Sequence, residues 1–321
     1  MWKFNPILKT KIWGGSRIGR LHGIDHDGPL GEAWLLSGVP GSISTVASGP
    51  DSGLSLSLLI DRHKDALLGR LNYIRYGHEF PLLIKLIDAA GALSVQVHPD
   101  DDLAREIGSP HGKTEMWYVL DADAGAALSL GFNRDIDPAE FNSLCGSGEI
   151  EKCLNNHCVH TGDVFFIPPG TVHAIGAGCF IAEVQQSSDD TFRIYDYDRL
   201  GDDGQPRPLH TDLAARALRF NATDGRPLPY TANPDVPVNL VRSPFFTTNV
   251  MTLDEPTLRD YSECDSFVCL LATRGNALIE AKDQQPMTLY EGEIILIPAS
   301  TDNVRITPGK TFTALEIYIK Q

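Results

Sequence analysis

Apolar residues along this chain fall mostly into short runs bounded by Gly, Pro and Asp, and few stretches keep helical spacing. The clearest alternation is Ser94-Val95-Gln96-Val97-His98, which sends Ser94, Gln96 and His98 to one face of a strand and both valines to the other. Further strands are predicted for the run opened by Glu115 (Met116-Trp117-Tyr118-Val119-Leu120) and for Val164 to Ile167, which a Pro168-Pro169-Gly170 turn ends just before His173. Phe80 to Asp88 is another apolar run, and its single Lys85 needs a partner if buried. Helices are predicted over Leu56 to Leu68, stopped by Gly69, and after His98, where acidic residues suit a helix start. Others are expected from Asp137-Pro138, from near Ser147 with Cys153 and His157 four apart, and over Asp212 to Leu218. Many strands joined by turns make the fold mainly β.

The pattern also repeats. Gly162-Asp163-Val164-Phe165-Phe166-Ile167-Pro168 recurs as Gly292-Glu293-Ile294-Ile295-Leu296-Ile297-Pro298, and Thr171 recurs as Thr301. At the same offset Gly170 becomes Ser300 and His173 becomes Asn303, while the strand after Glu115 has a counterpart in Phe267 to Leu271, preceded by Ser266. Such a repeat implies two similar β-barrels, of which only the first keeps its ligands. The expected organisation is a catalytic barrel over 1-199 with a helical insertion near 137-160, a connection over 200-237 rich in Asp, Gly and Pro, and a degenerate barrel over 238-321.

Charge narrows the classes of partner. A net charge of -15 over 321 residues argues against a nucleic-acid surface, so any anionic substrate must meet a local cluster of cations. No apolar stretch is long enough to span a membrane, and Met1 to Pro6 lacks a signal-peptide pattern. A soluble, cytoplasmic protein is expected. Its six cysteines are too sparse for a disulfide scaffold, and Cys153, His157, Cys158 and His160 match no standard zinc-finger spacing.

The candidate chemistry lies in His98, Glu115 and His173. Two imidazoles and a carboxylate suit zinc, iron(II) or manganese and leave coordination positions for substrate. Gln96 faces the same way as His98 and is either a weaker fourth ligand or a hydrogen-bonding contact to substrate; Ser94 shares that face. His22, His26, His63, His78, His111, His157, His160 and His210 read as ordinary surface or core histidines, with His111 nearest the site in sequence.

Gly162-x5-Pro168-x-Gly170-x2-His173 resembles the second motif of the cupin superfamily, and Gln96-x-His98 followed by Glu115 resembles the first. Gln replaces the usual first His, and the insertion before Glu115 is longer. With Trp13-Gly14-Gly15, the strings SVQVHPDD, GKTEMWYVL, FFIPPGTVHAIGAG and EVQQSSDDTFRIYDYDR resemble type I mannose-6-phosphate isomerases in their short bacterial form. The resemblance is strong from Ile12 to Leu209, weak in the second barrel, and lacks the large helical domain of longer members. It implies two cupin-type jelly-roll barrels and one zinc held by Gln96, His98, Glu115 and His173. It implies an essential Arg193, active-site lysines at Lys113 and Lys85, a phosphate contact at Ser94, and interconversion of mannose 6-phosphate and fructose 6-phosphate through a cis-enediol(ate).

Arg193 suits that charge because its guanidinium stays protonated and can fork onto two oxygens. Lys113 either shuttles a proton or binds phosphate together with Lys85. Two rivals share the ligand set: a non-haem iron oxygenase and a non-catalytic sugar-binding cupin. Gln96 and the nearby lysines count against the first, the intact ligands against the second.

Overall fold

The computed structural model describes residues 1–201 and 204–320, so Asp202 and Asp203 of the expected connection lie outside the described residues. The protein is mainly β. Its strands are β1 (Trp2–Lys3), β2 (Ile7–Gly15), β3 (Leu30–Ser37), β4 (Leu82–Ala89), β5 (Val95–Val97), β6 (Glu115–Ala122), β7 (Ala127–Phe132), β8 (Leu154–Cys158), β9 (Val164–Ile167), β10 (His173–Ile175), β11 (Cys179–Gln186) and β12 (Phe192–Tyr195). The chain continues with β13 (Val238–Arg242), β14 (Thr247–Leu253), β15 (Thr257–Asp260), β16 (Val268–Arg274), β17 (Asn276–Ala281), β18 (Met287–Tyr290), β19 (Ile294–Ile297), β20 (Asn303–Pro308) and β21 (Phe312–Tyr318).

They assemble into four open sheets, ordered β2-β3-β4-β11-β6-β9, β12-β5-β10-β7-β8, β1-β19-β16-β21-β14-β13 and β15-β20-β17-β18. Adding ten to each label turns β4-β11-β6-β9 into β14-β21-β16-β19, and β5-β10-β7-β8 into β15-β20-β17-β18. The repeat in sequence is therefore a repeat in topology. One register agrees as well, Glu115 pairing with Ile167 and Val268 with Ile297; at the other, the buried His173 pairs with Gln96, whereas Asn303 and Asp260, at the same offset, pair with both side chains exposed.

Two compact units share the chain. One comprises Leu8–Ala33 and Ile84–Leu228; the other comprises Met1–Ile7, Trp34–Leu83 and Pro229–Gln321. This differs from a sequential division at 199 and 238, because residues 34–83 fall in the unit of the C-terminal strands and 200–228 in the unit that carries the candidate ligands. Packing within the former explains the first difference. The rings of Phe80 and Phe267 lie 4.8 Å apart, and the Asp265 carboxylate accepts the backbone N–H groups of Arg70 and Leu71 at 2.6 and 3.0 Å, capping the helix they begin.

Two expectations about helices need correction. The region Leu56 to Leu68 is two helices, α2 (Leu56–His63) and α3 (Asp65–Leu68), preceded by α1 (Arg17–His22) and followed by α4 (Arg70–Tyr76). Lys64 at φ 51° and Gly69 at φ 87° break the run. The insertion near 137-160 begins as expected: Asp137 caps α6 (Pro138–Leu144), which follows the short α5 (Asp101–Glu106) capped by Asp100. It then passes through a 3₁₀ turn, Gly148–Cys153, into β8. His157 accordingly lies on an edge strand, and the helical relation to Cys153 does not exist. The helix expected over Asp212 to Leu218 is α7 (Thr211–Ala217). Among the described residues no helix is long and apolar enough to cross a membrane, and all six cysteines are free thiols.

Candidate metal centre

Register builds one half of the site. In β12, β5 and β10, Arg193 pairs with Gln96 and Gln96 with His173. Residues directly opposed in antiparallel strands share a face, so the three form one row across the sheet. The second sheet supplies the other half: Glu115 opens β6, Lys85 lies on β4, and Glu183 on β11 pairs with Trp117. The turn after β9 locks the end of β5 in place, because the Gly170 N–H donates to the His98 carbonyl at 3.0 Å. Gly170 takes φ +82°, and a Cβ there would meet the Ala217 carbonyl at 2.7 Å, so the turn requires glycine.

His98, Glu115 and His173 come together as a buried cluster whose candidate ligand atoms all lie within 4.8 Å of one another. His98 Nδ1 donates to the Asp190 carbonyl at 2.8 Å and His173 Nδ1 to the Thr171 carbonyl at 2.9 Å. Both rings are thereby fixed with the Nε2 lone pair facing inward. Those nitrogens lie 3.4 and 3.5 Å from the two carboxylate oxygens of Glu115. Lys113 Nζ reaches His98 Nε2 at 3.0 Å and Glu115 Oε2 at 3.3 Å, and Gln96 Nε2 reaches His173 Nε2 at 3.2 Å. Neither oxygen of Glu115 accepts a hydrogen bond, although the side chain is fully buried. A buried carboxylate without such partners is costly, and a divalent cation would complete its contacts. The donor set therefore fits a metal ion. The amide of Gln96, whose Oε1 accepts from Ser94 Oγ at 3.3 Å, turns the same carbonyl oxygen inward after a half rotation.

Burial, followed by the nearby Lys113 charge and the second imidazole, keeps His98 far below the ordinary histidine pKa; burial takes His173 down to about 4. Both rings are neutral at physiological pH, as ligands must be. Lys85, which the sequence required to be paired, sits 3.1 Å from Glu183. Burial alone would lower its pKa, but Glu183, Glu32, Glu115 and Asp189 outweigh it and the net shift is upward. Burial, reinforced by Glu115, raises Glu183, whose Oε2 also accepts from Trp117 Nε1 at 3.1 Å.

A cleft of about 560 Å³ opens over this cluster, and Ser94, Lys85, Gln96, Lys113 and Arg193 all line it. His98, Glu115 and His173 do not; they lie behind Gln96 and Lys113. His111 is not among the lining residues. Among lining residues that sequence reasoning did not single out are Glu183, Arg207 and His210. Glu183 carried the same signal as Lys85, a single charge in an apolar strand. Arg207 and His210 follow the last recognised motif in a polar segment, where no periodicity marks them.

Residues 1–131 match the family model for the catalytic domain of type I phosphomannose isomerase. A curated mannose-6-phosphate isomerase from Streptococcus mutans is 34% identical, over 91% of this chain and 90% of its own length. The crystal structure of mannose 6-phosphate isomerase from Bacillus subtilis superposes with a TM-score of 0.86 at 30% identity, covering 98% of both chains. A single-residue variant of phosphomannose isomerase from Salmonella typhimurium shares the fold at a TM-score of 0.79 and 20% identity, with complete coverage of both chains.

Proposed function

The chain belongs to the type I mannose-6-phosphate isomerase family, and on that premise we propose that it interconverts mannose 6-phosphate and fructose 6-phosphate at the cleft over His98, Glu115 and His173. The observation that carries this reading is the placement of cations. In a chain of net charge -15, Lys11, Lys85, Lys113, Arg193 and Arg207 line the cleft over the metal-ligand cluster and outnumber its four carboxylates, Glu32, Glu183, Asp189 and Asp190. That is the local positive site an anionic sugar needs. The paired sheets and their repeated strand order support a reading as two cupin-type jelly-roll barrels, the first catalytic and the second degenerate.

We assign His98, Glu115 and His173 as ligands of one zinc ion, with the Gln96 carbonyl as the fourth. When bound, the ion supplies Lewis acidity that favours a developing enediolate over the neutral sugar. Arg193 lies in the row next to Gln96. Burial and then Arg207 lower its pKa, yet a guanidinium so shifted is still cationic at neutral pH and presents paired donors to two adjacent oxygens. Lys113, held against His98 and Glu115, is placed to carry a proton between the sugar oxygens. Ser94, Lys85 and Gln96 contact the sugar or its phosphate, with Lys85 oriented by Glu183. Six free thiols are consistent with a cytoplasmic location.

The test is a coupled assay of mannose 6-phosphate conversion, on metal-replete and chelator-treated protein and on Arg193→Ala. Turnover that disappears on chelation, returns with zinc and falls steeply in the variant is the expected result. No turnover by metal-replete protein would sink the isomerase reading, and oxygen-dependent substrate consumption would favour the iron oxygenase.

A further inference from the structure

His210 occupies the N-cap position of α7, where Ser, Thr, Asp and Asn are favoured because their side chains bond the first free helical N–H groups. Its ring makes no such bond. Instead, His210 Nδ1 accepts the backbone N–H of Arg193 at 3.1 Å, while the His210 backbone N–H donates to the Arg193 carbonyl at 2.8 Å. A single residue thus binds both polar groups of one residue on β12, as a neighbouring strand would. The fixed acceptor role of Nδ1 leaves the proton of the neutral ring on Nε2, and the ring lines the same cleft as Arg193. The Arg193 guanidinium donates through Nη1 to the Pro208 carbonyl at 3.3 Å, in the segment that ends at His210.

We propose that His210 is a positioning residue: it clamps the backbone of Arg193 on β12 so that the guanidinium is held in the cleft beside Gln96. The catalytic consequence rests on the isomerase reading above, whereas the clamp does not. An ordinary N-cap would leave this edge of β12 to water. Burial, then the charge of Arg193, holds the ring below the ordinary histidine pKa and keeps Nδ1 an acceptor. The charged groups that line the cleft with it include Arg193, Arg207, Asp189 and Asp190.

Three substitutions separate this role from direct contact with substrate. His210→Asn keeps an acceptor near the Nδ1 position and loses Nε2; His210→Gln does the reverse; His210→Ala loses both. Each is assayed for kcat and KM, and for the hydrogen-exchange rate of the Arg193 amide. The clamp predicts faster Arg193 amide exchange in Ala and Gln, with kcat reduced about tenfold or more and KM changed less, and recovery of both exchange protection and most of kcat in Asn. If Gln is the variant that recovers, His210 contacts substrate through Nε2 and the positioning role is wrong. Unchanged Arg193 exchange in folded Ala protein overturns the clamp outright. Absence of turnover in the parent refutes the isomerase reading, while the exchange measurements still decide the clamp.

Discussion

At the scale of single residues, the site is a set of buried charges that depend on partners in close contact. Glu183→Gln leaves the Lys85 ammonium in the interior without the carboxylate 3.1 Å away. Breaking a buried pair from one side costs about 3–5 kcal/mol, and Lys85→Met added to Glu183→Gln should recover most of it. Urea unfolding of the two variants checks this; a double variant no more stable than the single one would refute the pairing. The histidines set a pH dependence. The folded pKa of His173, about 4, lies below the unfolded value near 6.5, so its contribution is fully present above pH 6.5. It is lost as pH falls toward 4, because the unfolded chain takes up the proton first. Metal-free protein should lose on the order of 3 kcal/mol across that window, and His173→Asn should flatten the curve there. The candidate ligands were legible as a set, since His98, Glu115 and His173 sit in recognisable strand and turn patterns. His210 was not, because its role is written in a bond to a residue 17 positions away rather than in any local pattern.

At the scale of elements, strands and caps followed from local sequence wherever one face is buried. Val164 to Ile167 is a strand as predicted, and Asp100 and Asp137 cap helices through bonds to Leu103 and Glu140. The failures have local causes. β8 lies at the end of its sheet with alternate residues exposed, so neither face reads as apolar, and Lys64 enters the left-handed region without a glycine to announce it. The Pro168-Pro169-Gly170 turn offers the sharpest test at this scale. Gly170→Ala forces a Cβ into left-handed backbone and against the Ala217 carbonyl, which should cost about 1–3 kcal/mol. The Gly170 N–H also bonds the His98 carbonyl, so metal affinity, read by competition with a chelator, should fall along with thermal stability. Undiminished affinity in a destabilised variant would show that the turn does not position the ligand.

At the scale of the whole molecule, duplication has produced two units with one strand order and two different interiors. Loss of the metal site in the second is more than the replacement of His173 by Asn303. Asn303 is exposed, and Val304 and Ile306 carry the buried face of β20, so a histidine at 303 would point away from the core. The register of β16 with β21 sets Glu316 opposite Leu270, in step with Glu183 opposite Trp117 in the first unit. Glu316 accepts from Arg259 Nε at 2.9 Å, Tyr261 Oη at 2.7 Å and Asn249 Nδ2 at 2.8 Å, as Glu183 accepts from Trp117 Nε1 at 3.1 Å; the first unit has in addition Glu115, which accepts no hydrogen bond and stands where the second unit has Val268. The second unit has spent its buried carboxylate on stability and the first has kept one for a cation. Two substitutions of equal chemistry should therefore differ in what they do to metal binding and activity. Glu316→Gln should lower unfolding free energy by about 2–4 kcal/mol and leave zinc content and kcat per folded molecule unchanged. Glu115→Gln should reduce zinc content and lower kcat/KM more than about a hundredfold, because loss of even an outer partner of a ligand costs 10–100-fold. Its stability without metal should fall as well, because the variant leaves the buried Lys113 ammonium without the carboxylate 3.3 Å away. Metal analysis, urea unfolding and the coupled assay on both variants decide the matter, and a Glu316→Gln protein that loses zinc would end the division of labour between the units.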